Sequence, residues 1–451
     1  MSTDALKTTF SRFTTDYGMV FVLLALCACF SVATYKEQNP RGATAGLHLA
    51  RDITSEHGAV RVVILAEDND DARNFAAALA KRLTEDGSEV LDTLVGGPQE
   101  WRSGLKQLSE SDRSPQVIAC SEATSRKGVI RKLPEFIPAL AETPVAVPAS
   151  YWWPDFLKAS NLRAVANRMA VIAIIAIGMT LVIITAGIDL SVGSLIAFSA
   201  VTAALLIREA AGAREANVAS MTLCCLAAIA LCALMGAFSG LLVTTFRMPP
   251  FIVTLSMMQI VSGLAYKLSD SQSIYQLPEK FTGLGNGFVL GIPITVALML
   301  VLYVAAHMMM TRTVLGRYIY AVGGNREAAR LSGVPVKRIV LLCYIACGAL
   351  AGVGGVIRAS ELRSGAPTYG QMAELDVIAA VVVGGASLAG GEGKIFSTLI
   401  GALIIAVMRN GMNLVNVETN TQKIVLGFVI LVAVLIDVLK KKGWSVFFQD
   451  G

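Results

Sequence analysis

"GMTLVIITAGIDLSVGSLIAF" occupies residues 178–198. It reads as a membrane segment that breaks in its middle at Gly187, Asp189, Ser191 and Gly193, then continues as apolar as before. A carboxylate at bilayer depth is costly, so it faces other helices or a water path and marks function. Interrupted backbone inside a membrane is tolerated only where protein or a cavity covers the freed N–H and C=O groups. The stretch therefore predicts a bundle of membrane helices with a pathway beside the break.

Composition agrees. Of 451 residues, 54% are hydrophobic and only 16% charged, and mean hydropathy is +0.61. A soluble domain averages about 25% charged residues. The net charge of +5 sets topology and does not point to nucleic acid, because no aromatic-basic patch accompanies it. Seven of the eight cysteines fall in apolar runs, where cysteine behaves as a small hydrophobe, and Cys120 stands alone in a polar region. The three histidines show no metal-ligand spacing.

The first apolar run, Gly18 to Thr34, is close to spanning length and is expected to stay as a first helix, not to be cut as a signal peptide. Residues 36–150 then change character. "VRVVILAED" (60–68) reads as a buried strand and "DARNFAAALAKRLTED" (71–86) as an amphipathic helix capped by Asp70 or Asp71. "SEVLDTLVGG" (88–97), "PQEWRSGLKQLSES" (98–111, with Pro98 near its start) and "PQVIACSE" (115–122) continue as strand, helix and strand. This alternation predicts a small parallel α/β unit of about 115 residues, enough for its own core. Without a GxGxxG it offers no dinucleotide site.

From residue 151 the chain returns to membrane character. Apolar runs at about 165–186, 190–207, 218–244, 251–268, 292–310, 338–357, 376–390, 396–414 and 422–439 bring the total to about ten spans. Trp152 and Trp153 sit where an interfacial aromatic belt is expected. Lys7 and Arg12, the basic residues between Arg312 and Arg338, and Lys440 to Lys442 all fall on one side by alternate counting. By the positive-inside rule that side is the cytoplasm, which puts the α/β insert outside. Small residues crowd "GALAGVGGV" (348–356), "VVVGGASLAGGEGK" (381–394) and "GMNLVNV" (411–417), as close helix approach and unwinding require.

Asp189 has two readings. It is either a cap at a tight turn between two spans or a ligand contact. Span parity puts the turn toward the cytoplasm, which favours capping and gating. "GGEGK" (390–394) is not a phosphate loop, since that loop needs Gly where Leu388 stands and Ser or Thr where Ile395 stands. "GGNREAARLSGVPVKR" (323–338) combines a glycine turn, a cap at Asn325, a short helix and a stop at Gly333 and Pro335. It is either an ordinary loop or a docking peg.

The "EAA" of residues 327–329, with its following Gly333, resembles the coupling-helix motif of ATP-binding-cassette (ABC) importer permeases. The opening stretch, "LGRYIYAVGGN", "RLSGV", "ELDVIAAVVVGGASLAGGEGKI" and "STLIGALIIAVMRNGMNLV" closely resemble the ribose-type monosaccharide permeases and their galactose, xylose and autoinducer relatives, from about Pro154 to Asp437. The resemblance implies an all-α polytopic membrane protein of about ten helices with the ABC importer permease fold, here carrying an unusual α/β extracytoplasmic insert. It implies a homodimer in the bacterial inner membrane that moves a monosaccharide inward. Two cytoplasmic ATPase subunits would hold the ATP and magnesium, so this chain binds no cofactor and is not itself an enzyme. A periplasmic solute-binding protein would deliver the sugar. The ATPases would dock on the helix near 324–334 through Gly324, Glu327, Ala328, Ala329 and Gly333. Gly187, Asp189, Ser191, Gly193, Gly384 and Gly385 would line or gate the path.

The insert resembles half of a binding-protein lobe. It is either a fused, degenerate lobe or an inert spacer. The competing function is an ion-coupled secondary transporter of a small polar solute. That needs paired ionisable groups near mid-membrane, whereas Asp189, Arg358, Glu361, Arg363, Asp376, Arg409 and Asp437 fall mostly near the expected span ends. No nucleophile–base pair supports an intramembrane enzyme.

Overall fold

A computed structural model describes residues 3–111 and 113–442, with side chains over 18–111 and 113–439. Lys7, Arg12 and Lys440 to Lys442 have side chains outside that range. The chain divides into two compact units, residues 1–34 with 155–451, and residues 35–154.

The first unit opens with α1 (Thr3–Ala33). The second opens with β1 (Tyr35–Gln38), which pairs antiparallel with the unit's last strand (Tyr151–Pro154), Tyr35 opposite Pro154. Between them lie α2 (Gly42–His57), β2 (Arg61–Ala66), α3 (Asp70–Glu85), β3 (Glu89–Val95), α4 (Pro98–Ser109), β4 (Val117–Cys120), four single helical turns and β5 (Val145–Ala146); the closing strand is β6. The sheet is parallel throughout, in the order β3-β2-β4-β5.

Both faces of this sheet are covered, and β2 shows why its sequence is apolar without alternation. Val62, Ile64 and Ala66 face Leu49, Ile53, Phe75 and Leu79 of α2 and α3. Val63 and Leu65 face Trp101 and Leu105 of α4. Helix α2 lies where sequence reading placed only polar chain, although Ala45, Leu49 and Ile53 recur at spacing four. The cap of α3 is Asn69, not Asp70 or Asp71. Asn69 has extended backbone and its side chain accepts from Ala72 N at 2.9 Å, which leaves the two aspartates in the first turn, where they complement the helix dipole. Trp152 and Trp153 are strand residues of β6, with Trp152 stacked on Tyr35 at 5.7 Å.

The first unit is helical apart from single turns at 213–215 and 279–286 and the short antiparallel pair Phe288–Val289 with Ile292–Pro293. Its helices are α5 (Ala159–Ile184), α6 (Val192–Glu209), α7 (Val218–Thr245), α8 (Pro250–Leu268), α9 (Ile294–Arg312), α10 (Val314–Gly324), α11 (Arg326–Leu331), α12 (Val336–Leu362), α13 (Ala373–Val383), α14 (Ile395–Leu414) and α15 (Thr419–Lys442). Eight of these are long and apolar enough to cross a membrane, and α1 adds the shorter apolar stretch Gly18–Ala33. Helices α5, α6, α12 and α14 form the buried centre, whereas α7, α8, α9 and above all α15 turn apolar side chains outward. Helix α1 joins the bundle where Phe30 fills the space over Gly411 of α14.

The expected span at 376–390 is not one. Helix α13 has eleven residues, about 16 Å at 1.5 Å per residue, roughly half of what a bilayer core requires. It ends at Gly384, and Gly385, Gly390, Gly391 and Gly393 then take positive φ, a path closed to continued helix. Residues 384–394 thus form an irregular glycine-rich segment.

Candidate functional site

Three features of the bundle bear on function, and they are linked. The first is the capped segment. Helix α10 ends at Gly324, and Asn325 starts α11 by accepting from Glu327 N at 3.1 Å and Ala328 N at 2.9 Å through Oδ1. Glu327 and Arg330 form an exposed i,i+3 ion pair, with Arg330 Nε at 3.1 Å from the carboxylate. That hydrogen bond holds the Glu327 carboxyl below the usual carboxylate range. Gly333, at φ +83°, turns the chain after the helix. Gly324, Glu327, Ala328 and Gly333 are exposed, but Ala329 is buried against the bundle and stands on the anchoring face of α11, not its outer face. The outer face carries instead Leu331, 74% exposed, which sequence reading missed.

The second feature is the break after α5. The chain leaves helix at Ile184, takes positive φ at Ala186, and runs through Gly187 to Asp189. Asp189 is fully buried. Its Oδ1 accepts from Ser191 N at 2.9 Å and Ser191 Oγ at 2.6 Å. Its Oδ2 is buried with no hydrogen-bond partner, and the Cys347 thiol lies beside the carboxylate. The aspartate therefore closes a two-residue turn before α6 and does not reach the helix's own first-turn amides, so it is not the N-cap. Gly187 backs on the Tyr344 hydroxyl, and Thr254 Oγ1 donates to Ile188 O at 3.2 Å. Gly193 abuts Gly370 O and the Glu374 carboxylate, so α6 and α13 begin against one another inside the bundle.

Gly187, Asp189, Ser191 and Gly193 thus come together as one buried constellation. Gly384 does not join it. It packs on Ser397 O and Thr398 at the start of α14, and Gly385 stands exposed beside it. The part of the second glycine run that reaches the break lies further on. Gly391 N donates to Ile184 O at 2.9 Å, and Gly390 touches Ala186. The same Ile184 carbonyl is met by Gly323 of α10. The break, the glycine run and the root of the capped segment therefore share one junction.

The third feature is a cavity of about 320 Å³ at the start of α13, enclosed by α5, α6, α12, α13, α14 and the first turn of α15. Its polar lining includes Arg168, Arg358, Asp376, Arg409, Asn410 and Asn413. Asp376, only 6% exposed, pairs with Arg409, whose Nε is buried without a hydrogen-bond partner. Arg358 pairs with Glu361 at 2.7 Å. Asn161 and Asn410 exchange two amide hydrogen bonds of 2.8 and 3.0 Å, and Gln422 donates to Asn413 at 2.8 Å. Apolar span counting put Asp376 near a helix end. The shortness of α13 brings it inside, opposite a guanidinium 33 positions away. No sequence spacing announces such a pair. Amides and guanidiniums in this number suit a polar solute rich in hydroxyl groups, since guanidiniums donate to hydroxyl oxygens and amides both donate and accept. Among the described residues no cluster of His, Cys, Asp and Glu could hold a metal ion.

A family model described as "Branched-chain amino acid transport system / permease component" matches residues 161–434. The α/β unit of residues 35–154 lies outside that match. The chain is 44% identical over 288 residues to the ribose import permease protein RbsC of Escherichia coli (strain K12), covering 63% of this chain and 87% of the relative. It is 39% identical over 312 residues to RbsC of Bacillus subtilis (strain 168), covering 69% and 94%. With the D-allose transport system permease protein AlsC of Escherichia coli (strain K12) it shares 36% identity over 288 residues, 64% of this chain and 86% of the relative. No solved structure matches the chain.

Proposed function

Because the chain belongs to the branched-chain amino acid transport system / permease component family, and within it to the ribose-type monosaccharide ABC permeases, we infer that it is the membrane subunit through which an ABC importer brings a monosaccharide into the cytoplasm. It is a multi-pass inner-membrane protein without a nucleotide-hydrolysing motif of its own, and its work is driven by separate ATPase subunits. The observation that carries this reading is the exposed, capped α11 whose root packs on the chain break.

Work from ATP hydrolysis must enter as a displacement, and a displacement is transmitted only through contacts that differ between two states. An ATPase seated on Glu327, Ala328, Leu331 and Gly333 would move α11. Ala329 anchors α11 to the bundle, and Gly323 rests directly on Ile184 O and Gly391. Movement of α11 therefore reaches both the turn before Asp189 and the glycine run after α13. Neither segment is held by continuous helical hydrogen bonds. Gly187, Asp189, Ser191 and Gly193 act as the gate in this reading, with Gly384 and Gly385 as the hinge by which α13 moves on α14. The polar cavity beside Asp376 is the solute's station within the subunit.

Two copies of the chain form the permease, a solute-binding protein delivers the sugar, and residues 35–154 stand on the extracytoplasmic side. The relatives are ABC permease subunits and lend no support to the ion-coupled alternative.

The test is co-expression with the neighbouring genes and gentle detergent extraction. An ABC ATPase is expected to co-purify with the wild type and not with Glu327→Arg. Absence of any ATPase from the wild-type preparation would overturn the reading.

A further inference from the structure

The α/β unit has a crevice that the transport reading does not use. In its sheet, β2 lies between β3 and β4. The connection from β2 to β3 runs through α3 over one face, and that from β4 to β5 runs through residues 122–140, which pack with α4 on the other. The chain therefore departs in opposite directions at the carboxyl ends of β2 and β4. In open parallel sheets this divergence leaves a crevice, and ligands bind there. Here it opens as a cavity of about 730 Å³, within the size range of small-molecule sites.

The lining follows directly from the topology. Glu67 and Asn69 come from the turn after β2, and Ser121 and Glu122 from the turn after β4. Asn39 and Arg41 cross over the opening from the segment before α2. Several of these groups are held in place. Glu67 is tied to Lys127 at 3.2 Å, Glu122 to Arg126 at 2.8 Å, and Asn69 Nδ2 donates to Glu67 at 3.3 Å. A lining fixed by its own pairs needs little reordering on binding, which favours recognition.

We propose that this crevice binds a neutral polyhydroxylated ligand of monosaccharide class. Four carboxylates (Glu67, Asp70, Asp71, Glu122) face two guanidiniums (Arg41, Arg126), so the field opposes an anion. No group of described residues there could hold a metal ion. The one aromatic in the lining, Phe75, is buried in the core under the sheet and offers no platform for a base. Hydroxyl groups satisfy what remains, because each donates to a carboxylate while accepting from a guanidinium or amide. A single lobe closes on only one side of its ligand, so affinity is weak, with Kd in the millimolar range. The inference goes beyond the transport reading, which enters only in the choice of probe sugars.

The experiment is equilibrium binding of labelled D-ribose, D-allose and L-arabinose to the full chain in detergent, with L-leucine and putrescine as controls. Saturable binding of at least one sugar is expected, weakened more than about tenfold by Ala123→Trp, which fills the crevice from an exposed position, and by Glu67→Gln. Lys106→Ala, on the exposed surface of α4 and outside both cavities, is expected to leave it unchanged. Binding that ignores Ala123→Trp, binding of leucine or putrescine in place of sugar, or no saturation up to about 10 mM would each overturn the proposal. Co-purification of the ATPase and uptake by the assembled importer are separate measurements, so the crevice can fail while the transport reading stands, and the reverse.

Discussion

Gly323 lies so close to the carbonyl oxygen of Ile184 that no side chain could stand between α10 and the end of α5. Both atoms that a β-carbon at 323 would strike, Ile184 O and Gly391 N, belong to backbone. They cannot swing aside as a flexible side chain could. At Gly324, one position on, a β-carbon would meet nothing within 4 Å.

This pair of neighbours gives a sharp comparison. Gly323→Ala is expected to cost about 1–3 kcal/mol by overpacking and to lower sugar-stimulated ATPase activity of the reconstituted complex. Gly324→Ala is expected to leave thermal unfolding unchanged. Equal tolerance at both positions would break the proposed route from α11 to the chain break.

The Glu327–Arg330 pair sets a pH dependence. The Glu327 carboxyl is held below its ordinary value by the Arg330 hydrogen bond. A depressed carboxyl contributes fully above its unfolded pKa, about 4.3, and the contribution is lost as pH falls through the lower folded value. Docking of the ATPase in detergent is therefore expected to be flat from neutrality down to about pH 5 as far as this residue is concerned. Glu327→Gln should match the wild type's acid-limit behaviour at all pH values. A pull-down titration across that range reads the difference.

Removing one partner of the cavity's ion pair leaves the other stranded. Asp376→Asn and Arg409→Gln are each expected to destabilise by about 2 kcal/mol, less than for a fully buried pair, because the Arg409 side chain is 41% exposed. The double substitution should cost less than the sum of the singles. Thermal unfolding of the four proteins gives the cycle. Strict additivity would mean the two side chains do not depend on each other.

Cys120 reports on the α/β unit. Burial in β4, with the Glu122 carboxylate adding to it, pushes its thiol up to about 12. Since the thiolate is the reactive form, a variant with Cys120 as its only cysteine should resist maleimide at pH 8 until the unit unfolds. Labelling on the timescale of an exposed thiol would contradict the packing of β4.

Much of this architecture was written in residue patterns. The break at Gly187–Gly193 was visible because a charge inside an apolar run is rare. The limits of α11 were visible because Asn325, Gly333 and Pro335 punctuate it. Other elements stayed hidden for definite reasons. The apolarity of residues 376–390 adds up to a span whether the chain is helical or not, and only the positive φ values from Gly385 onward end the helix. The Asp376–Arg409 pair depends on where α13 starts, which no local spacing fixes. Ala329 looked like a contact because it belongs to a short motif, yet a six-residue helix lying on a bundle must turn one of its sides inward.

The antiparallel pairing of β1 with β6 has one more consequence. Because Gln38 stands opposite Tyr151, the 112 residues between them depart and return at a single doorway. Seen from the helices, this excursion is no different from a two-strand hairpin. The doorway is thus a graft point. A short turn, a fluorescent protein or a foreign domain with adjoining termini could replace the segment from 39 to 150 while the strand pair stays intact.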